Sequence, residues 1–218
     1  MIDKKTLTGI IGQAKAKGTK KKFKQSVELY VMLDSHRVKA ADININETVA
    51  LPNRPGNQPT VCVIASGELG MRAKRAGADA VIAVEEMDRL ATNKKDAKKV
   101  SKAYDFFMAD TSLMPRIGKT LGPFLGPKGK MPLPITLNSP IDQMLERLRG
   151  SIRSRTRAHS AISCKIGEED TDDDKLAANA LAVLESLERK IPNGLKVARR
   201  IGVKLTMGPL ESTTDLGE

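Results

Sequence analysis

Residues that build metal sites and catalytic centres are scarce in this 218-residue sequence, which has two cysteines and two histidines. Cys62 and Cys164 lie in separate apolar stretches without CxxC spacing, so we expect both to be small buried core residues. With only His36 and His159, a histidine-rich metal centre is excluded and a nucleophile has two candidate bases. The sequence therefore predicts no catalytic residue and no metal site.

Aromatic residues and long apolar runs are also missing. There are four phenylalanines, two tyrosines and no tryptophan, so a surface that stacks many unpaired bases is hard to build. No segment approaches the roughly 20 apolar residues that span a bilayer, and the basic amino terminus lacks the apolar middle of a signal peptide. We therefore predict no membrane partner and a reducing, cytoplasmic location.

Basic residues are abundant and unevenly spread. Lys and Arg number 37 against 26 Asp and Glu, a formal charge of +11, which indicates a polyanionic partner. Residues 1–24 contain eight lysines against Asp3 alone, and residues 147–165 contain five arginines and Lys165 without an acid. Such runs can be ordinary solvated faces. The excess exceeds what solubility requires, and arginine suits bidentate phosphate contacts, so nucleic-acid binding is favoured.

The two ends of the chain have the patterns of an α+β domain with antiparallel strands. Period-two alternation starts at Ser26 and returns at 162–166 and 201–207, which predicts half-buried strands. Helical spacing predicts helices at 3–17 and 172–190. Segment 48–51 is predicted to lie beside the first strand. The proline-rich stretch 52–59 is predicted to end the first part of this domain, and the helix after 172 is predicted to end at Pro192-Asn193-Gly194. The polar tail after Leu210 is a candidate for disorder.

The middle of the chain has a different pattern. Strands there are continuous apolar runs separated by helical segments, which predicts a parallel sheet covered on both faces. The predicted strands are 61–65, 80–84 and 106–109, and the predicted helices are 68–76, 87–103 and 141–148. The fold class is therefore an antiparallel α+β domain formed by residues 1–60 and 155–218, with an inserted Rossmann-like three-layer α/β domain at 61–154.

Two glycine-containing segments of the inserted domain resemble phosphate-binding motifs only in part. Gly118-Lys119-Thr120 resembles the end of a P-loop, but Leu113 stands where the loop needs its first glycine. The turn at 67–70 lacks GxGxxG, so no cofactor is predicted. Segment 115–134 combines glycines and prolines with Arg116, Lys119, Lys128 and Lys130, which predicts an exposed, anion-contacting loop rather than a featureless solvated one.

It is this segment, PRIGKTLGPFLGPKGKMPLP, that resembles the signature of the universal family of large-subunit ribosomal proteins numbered one, which form the side stalk of that subunit. Residues 22–28, KFKQSVE, are similar to the family's first-strand motif, and Thr206-Met207-Gly208-Pro209 matches its carboxy-terminal RNA-binding motif. The resemblance covers essentially the whole chain, and the compact length is similar to archaeal members. The family binds folded ribosomal RNA mainly through the outer domain.

The resemblance implies roles for individual residues. Lys22 would contact phosphate, Phe23 would pack on ribose or support the strand, Ser26 would bind a 2′-OH and Glu28 would accept a hydrogen bond. Thr206 would offer a hydroxyl and Met207 an apolar contact to a sugar or a base. Gly208 would let the RNA approach the backbone closely, and Pro209 would fix the direction in which the chain leaves the strand. Without the motif, core packing would be the favoured interpretation of Phe23 and Met207. The remaining RNA-binding candidates are Arg153, His159, Ser163, Lys165 and Lys204.

The function implied is that of a non-enzymatic ribosomal stalk protein that is monomeric when free. By resemblance it would bind the ribosomal RNA stalk, assist movement and release of exit-site tRNA, and in some members bind the protein's own mRNA as a repressor. Two alternatives stay open at the level of sequence. One is a nucleotide-dependent or RNA-modifying enzyme that uses the inserted domain; the other is a general basic binder of double-stranded nucleic acid.

Overall fold

A computed structural model describes residues 2–34, 45–156, 161–191 and 194–214. Contacts divide the chain into two compact units, which we call the outer unit (Met1–Asn57 with Gly150–Glu218) and the inserted unit (Gln58–Arg149). The expected division at 60/61 and 154/155 differs by a few residues, and it cuts through a strand at 151–155 that is paired within the outer unit.

The helices and strands follow one another in mixed order. In the first half these are α1 (Lys4–Ala16), β1 (Ser26–Leu33), β2 (Asn46–Ala50), β3 (Val61–Ile64), α2 (Gly67–Arg75), β4 (Ala80–Ile82), α3 (Val84–Thr92), α4 (Lys94–Ala103) and β5 (Phe106–Asp110). In the second half they are α5 (Met114–Thr120), α6 (Gly122–Leu125), β6 (Leu133–Ile135), α7 (Ile141–Arg149), β7 (Ser151–Arg155), β8 (Ala161–Glu168), α8 (Asp173–Lys190), β9 (Ala198–Leu205) and β10 (Glu211–Thr213).

The outer unit is built on a four-stranded sheet with the order β10-β9-β1-β8, in which all pairings are antiparallel. Alternate residues of β1 are apolar and buried, and they join one core with the apolar faces of α1 and α8. The acidic first turn and basic last turn of α8 suit the helix dipole, and its predicted range is confirmed to within one residue. Helices therefore cover one face of this sheet.

Three expectations for the outer unit were wrong in detail. Segment 48–51 was expected beside the first strand, but β2 pairs with β7, because both edges of β1 are occupied by β8 and β9. Residues 211–213 of the polar tail after Leu210 form strand β10, which pairs with β9, and residues 215–218 lie outside the described residues. Strand β9 ends at Leu205, so Met207 lies in the following turn rather than in the strand. Pro192 and Asn193 lie outside the described residues.

The inserted unit contains the expected parallel sheet, with the order β4-β3-β5-β6. Val61 and Val63 face one apolar cluster, which includes residues of α2 and α7. Cys62 and Ile64 face a second cluster with residues of α3 to α6. The three-layer α/β arrangement is confirmed. Cys62 and Cys164 are buried, as expected, and burial raises the pKa of each thiol to about 12.

The predicted exposed loop at 115–134 is the main error in the inserted unit. Its first half folds into α5 and α6, and its end contributes strand β6. Ile117, Leu121 and Leu125 are buried in the core. The prolines do not prevent helix formation because they occupy first-turn positions, where the missing N–H has no partner to lose. The predicted helix 87–103 is likewise two helices, and the side chain of Asn93 caps the second by accepting from Lys95 N.

Candidate nucleic-acid interface

The face of the outer sheet opposite α1 and α8 is polar, and we call it the open face. Side chains alternate along a strand, so the partly exposed positions of β1 point away from the buried ones. Antiparallel partners share a face, and the pairing places polar residues of β8 and β9 beside them. The open face comprises Ser26, Glu28, Tyr30, Ser163, Lys165 and Lys204. Five of these six residues were predicted from the sequence; Tyr30 was missed.

Glu28 occupies the centre of the open face, with Lys165 opposite it on β8 and Lys204 opposite it on β9. Its carboxylate accepts hydrogen bonds from Tyr30 Oη at 2.8 Å and from Thr206 Oγ1 at 3.4 Å. The ammonium group of Lys204 lies 5.5 Å from the centre of the Tyr30 ring, within cation–π range. Burial, followed by the bond to Glu28, raises the pKa of Tyr30 to about 12, so the phenol stays protonated at neutral pH.

A turn at residues 206–209 lies at the end of β9, beside the start of β1. Thr206 donates its backbone N–H to Ser26 O at 3.0 Å, and its one hydroxyl proton is shared between that oxygen, at 3.2 Å, and Glu28 Oε1. Gly208 N donates to Leu205 O at 2.9 Å and closes the turn. A Cβ added at Gly208 would lie 3.2 Å from Leu205 Cβ, so the close packing here favours glycine. The turn therefore has a fixed backbone.

Two apolar side chains of the quoted motifs are exposed to solvent, one in this turn and one in the segment before β1. Met207 is 60% exposed and Phe23 is 53% exposed. The alternative in which both residues pack in the core is therefore wrong. Lys22 and Pro209 beside them are also exposed. Because these apolar side chains are already exposed and lie near cations in the sequence, they can contact a sugar or a base without leaving a packed core.

Sequence reasoning missed Gln25, which holds the two motifs together. This residue is 1% exposed, and its Oε1 accepts from Met207 N at 3.2 Å. Its Nε2 donates to Thr19 O at 3.0 Å and to Glu169 Oε2 at 3.2 Å. The sequence contained a signal, because position 25 continues the alternation of the buried positions of β1 and is therefore expected to be buried. A polar side chain at a buried position needs hydrogen-bond partners.

Lys165 takes part in an ion network rather than projecting freely. Its ammonium lies 3.1 Å from Glu168 Oε1, while Lys24 lies 3.0 Å from Glu168 Oε2 and Asn57 N donates to Oε1 at 3.3 Å. Together, with the Lys24 bond as the largest contribution, these groups lower the pKa of the buried Glu168 to about 2. Gly56, with φ +101°, packs against this carboxylate; a Cβ there would lie 2.1 Å from Oε1.

Other predicted residues lie elsewhere. Arg153 belongs to β7 in the two-stranded sheet, opposite Thr48, and not to the four-stranded sheet of the open face. His159 lies outside the described residues. The structure thus brings together one compact group on β1, β8, β9 and the 206–209 turn.

The four cations of segment 115–134 do not form the exposed loop that was expected. Arg116 on α5 contacts Asp88, with both carboxylate oxygens at 2.6 Å, so it is compensated by an acid from α3. Lys128 Nζ donates to Ser101 Oγ and Lys130 Nζ to Tyr104 O, each at 2.6 Å. Lys119 is exposed within α5. Gly118-Lys119-Thr120 forms the last part of that helix, whereas a P-loop cradles phosphate at a helix N-terminus.

Residues 2–34, 45–156, 161–191 and 194–214 contain no group of three or more histidine, cysteine or acidic side chains arranged to hold a metal ion. Over those same ranges, no helix has the length and apolar character needed to cross a membrane.

Comparison with known proteins gives matches over nearly the whole chain. The model of the ribosomal protein L1p/L10e family matches residues 14–209. A protein of Cenarchaeum symbiosum, named large ribosomal subunit protein uL1, is 46% identical over 96% of each chain. Proteins of the same name are 40% identical in Archaeoglobus fulgidus, over 96% of this chain and 97% of the relative, and 45% identical in Thermofilum pendens, over 87% and 84%.

Proposed function

Because the chain belongs to the ribosomal protein L1p/L10e family, we propose that its outer unit binds a structured element of large-subunit ribosomal RNA through the open face and the 206–209 turn. Family membership makes it a large-subunit ribosomal protein of archaeal type and not an enzyme, so the alternative of an enzyme using the inserted unit is set aside. The arrangement of Glu28, Thr206 and Met207 supports this assignment.

The polar groups of the open face suit ribose and base edges. An ionised carboxylate only accepts hydrogen bonds, and each Glu28 oxygen keeps lone pairs beyond the single bond it accepts from the protein. A 2′-hydroxyl or a guanine amino group can donate to it, whereas a phosphate is repelled. Thr206 donates its hydroxyl inward, so its lone pairs remain available to an RNA hydroxyl. These two residues therefore favour particular RNA groups over the uniform backbone.

The cations and apolar side chains around this centre would supply affinity. Lys22 and Lys204 can neutralise phosphates, which releases counterions and makes binding depend on salt. Met207 and Phe23 can pack against a sugar or a base face. Because the turn backbone is already fixed, little order has to be gained on binding. The observation that carries the proposal is Met207, which is 60% exposed on a backbone clamped by Gln25 and Leu205.

The direct test is a titration of the full chain against the ribosomal stalk RNA fragment over a range of salt concentrations. A scrambled RNA of equal length and helix content is the control. We expect tight, selective binding that persists at moderate salt. Equal affinity for both RNAs, with both lost together as salt rises, would leave the general basic double-strand binder as the better description.

Two finer roles are proposed on the same surface. The protein would assist movement and release of exit-site tRNA, and it would repress translation by binding its own mRNA where that message has a similar structure. A leader RNA from its own message should displace labelled stalk RNA in competition, and a leader that never competes would remove the repressor role. Release of exit-site tRNA from ribosomes with and without the protein tests the other role.

The free protein is also expected to be a monomer. Light scattering measures its molar mass in solution and tests this expectation.

A further inference from the structure

A row of lysines on helix α4 of the inserted unit is not used by the proposed RNA contacts of the outer unit. The row consists of Lys94, Lys98 and Lys102, which are spaced by four residues and lie on one side of the helix. All three are exposed. In the sequence these lysines do not stand out, because a lysine-rich helix is usually only a solvated face.

A fourth cation is fixed against this row by a contact from a distant part of the chain. Lys128 Nζ donates to Ser101 Oγ at 2.6 Å, so its ammonium lies on the same helix. Burial, together with repulsion from Lys102 and Lys98, lowers the pKa of Lys128. Three cations are thus close enough to repel one another.

No acid of the described residues lies within ion-pair distance of these lysines. Asp96, the acidic residue of α4, lies on another side of the helix, where it pairs with Lys99 at 3.3 Å and contacts Asn93 at 2.6 Å. Like charges four residues apart destabilise a helix, and a cation at its N-terminus opposes the helix dipole. The fold therefore tolerates an unfavourable charge arrangement here that a bound anion would relieve.

The chemistry of the row favours a phosphodiester backbone over a protein partner. Protein interfaces have apolar or aromatic anchors at their centre, and the exposed large apolar residues of the inserted unit, among its described residues, lie on α2 and at 131–137 rather than on α4. Lysines are point charges on flexible stems, which follow a phosphate chain without reading its sequence. We propose that Lys94, Lys98, Lys102 and Lys128 form a second RNA-backbone site on the inserted unit, separate from the open face.

Lysine footprinting on the full chain tests where RNA binds. The probe is a mixed-sequence RNA duplex two helical turns long, in excess, so that both units can be occupied. We expect Lys98, Lys102 and Lys128 to be protected from acetylation, while Lys74 on α2 stays reactive. Protection confined to lysines of the outer unit would overturn the site on α4 and would leave the proposed function of the outer unit intact.

A pair of charge-matched double variants gives the second test. Lys98→Gln with Lys102→Gln removes two cations from the row, and Lys74→Gln with Arg75→Gln removes two exposed cations from α2 of the same unit. The slope of log affinity against log salt should fall by about 1 to 2 only in the first variant, since each phosphate contact contributes about 0.7 to 0.9. Equal slopes in both variants would overturn the proposal.

Thermal unfolding of the same two variants separates a binding role from a structural one. If the lysines of α4 stabilised the fold, their replacement would lower the melting temperature. We expect the melting temperature of the α4 variant to stay the same or to rise, because repulsion within the row is relieved. A clear fall would indicate that the row serves the fold instead of RNA.

Discussion

Gln25 Oε1 accepts a hydrogen bond from the backbone N–H of Met207 at 3.2 Å, which joins two residues 182 positions apart in the sequence. Through this bond the start of β1 fixes the turn that follows β9. The Nε2 of the same side chain donates hydrogen bonds to Thr19 O and to Glu169 Oε2. One buried side chain thus connects the basic segment before β1 with the turn that presents Met207.

Gln25→Leu removes these bonds while keeping a side chain of similar size. The N–H of Met207 and the carbonyl of Thr19 would lose their partners in a part-buried site, so we expect the free energy of unfolding to fall by about 1 to 3 kcal/mol. Affinity for stalk RNA should fall at temperatures where the variant is fully folded. Urea unfolding and RNA titration measure the two effects.

Gln25→Glu separates positioning of the turn from stability. Its carboxylate can still accept from Met207 N, but it cannot donate to Thr19 O and it faces the carboxylate of Glu169. We expect this variant to lose stability as Gln25→Leu does and yet to keep more of its preference for stalk RNA over scrambled RNA. If both variants lose that preference equally, Gln25 acts only through stability.

Met207→Ala is expected to weaken binding of stalk RNA by about 1 to 3 kcal/mol with little change in the salt slope, because the lost contact is apolar. The unfolding free energy should change little, since the side chain is 60% exposed. Met71→Ala is the matched control, as Met71 is 57% exposed on the inserted unit. Lys22→Ala should instead reduce the salt slope by about 1. Equal losses for stalk and scrambled RNA in Met207→Ala would contradict a specific contact.

The fold was predictable wherever a local pattern decides it. The alternation of β1 was read correctly because every inward position from Val27 to Leu33 is apolar, and the continuous apolar runs correctly predicted a parallel sheet. The pairing of β2 with β7 was missed because it joins segments about a hundred residues apart, and the sequence of β2 does not indicate which strand it pairs with. Segment 115–134 was misread because prolines disfavour a helix interior but fit its first turn.

The candidate site was predictable in its members and not in its connections. Motif resemblance identified Phe23, Glu28 and Met207, and the structure brings the last two into one region. The contacts that fix them come from residues to which the resemblance assigned no role: Gln25 beneath the turn, which lies within the 22–28 motif, and Tyr30 beside Glu28. Such partners follow from three-dimensional packing, since an amide or a phenol in a sequence does not show which group it will contact.

Glu28→Gln tests whether the carboxylate at the centre of the open face selects RNA groups. Without the negative charge, phosphates are no longer repelled, so affinity for scrambled RNA should stay the same or rise. Affinity for stalk RNA should fall, because an amide oxygen is a weaker acceptor than a carboxylate. Glu185→Gln, at an exposed position of α8, makes the same change in net charge away from this face. A parallel rise for both RNAs would mean that Glu28 acts only through net charge.

Glu168 predicts a particular dependence of stability on acid. The neighbouring Lys24, Lys165 and Asn57 N lower its pKa in the folded protein to about 2, below the 4.5 of an unperturbed carboxyl. A group whose pKa is depressed by folding stabilises the folded state above its unfolded pKa. Its contribution should therefore be complete at neutral pH and should be lost as the pH falls from about 4.5 towards 2.

Glu168→Gln should flatten that acid-dependent part of the stability curve. At pH 7 we expect it to reduce the free energy of unfolding by about 1 to 3 kcal/mol, because two ammonium groups and the amide of Asn57 lose their ionised partner. Wild type and variant should approach each other as the pH falls to 2 and converge below it, where Glu168 is neutral in both the folded and the unfolded protein. Asp170→Asn removes an exposed carboxylate from the same Lys24 and should cost less than about 1 kcal/mol. Urea unfolding across this pH range measures each difference, and a constant gap between wild type and Glu168→Gln at every pH would show that the ion network does not lower the pKa of Glu168.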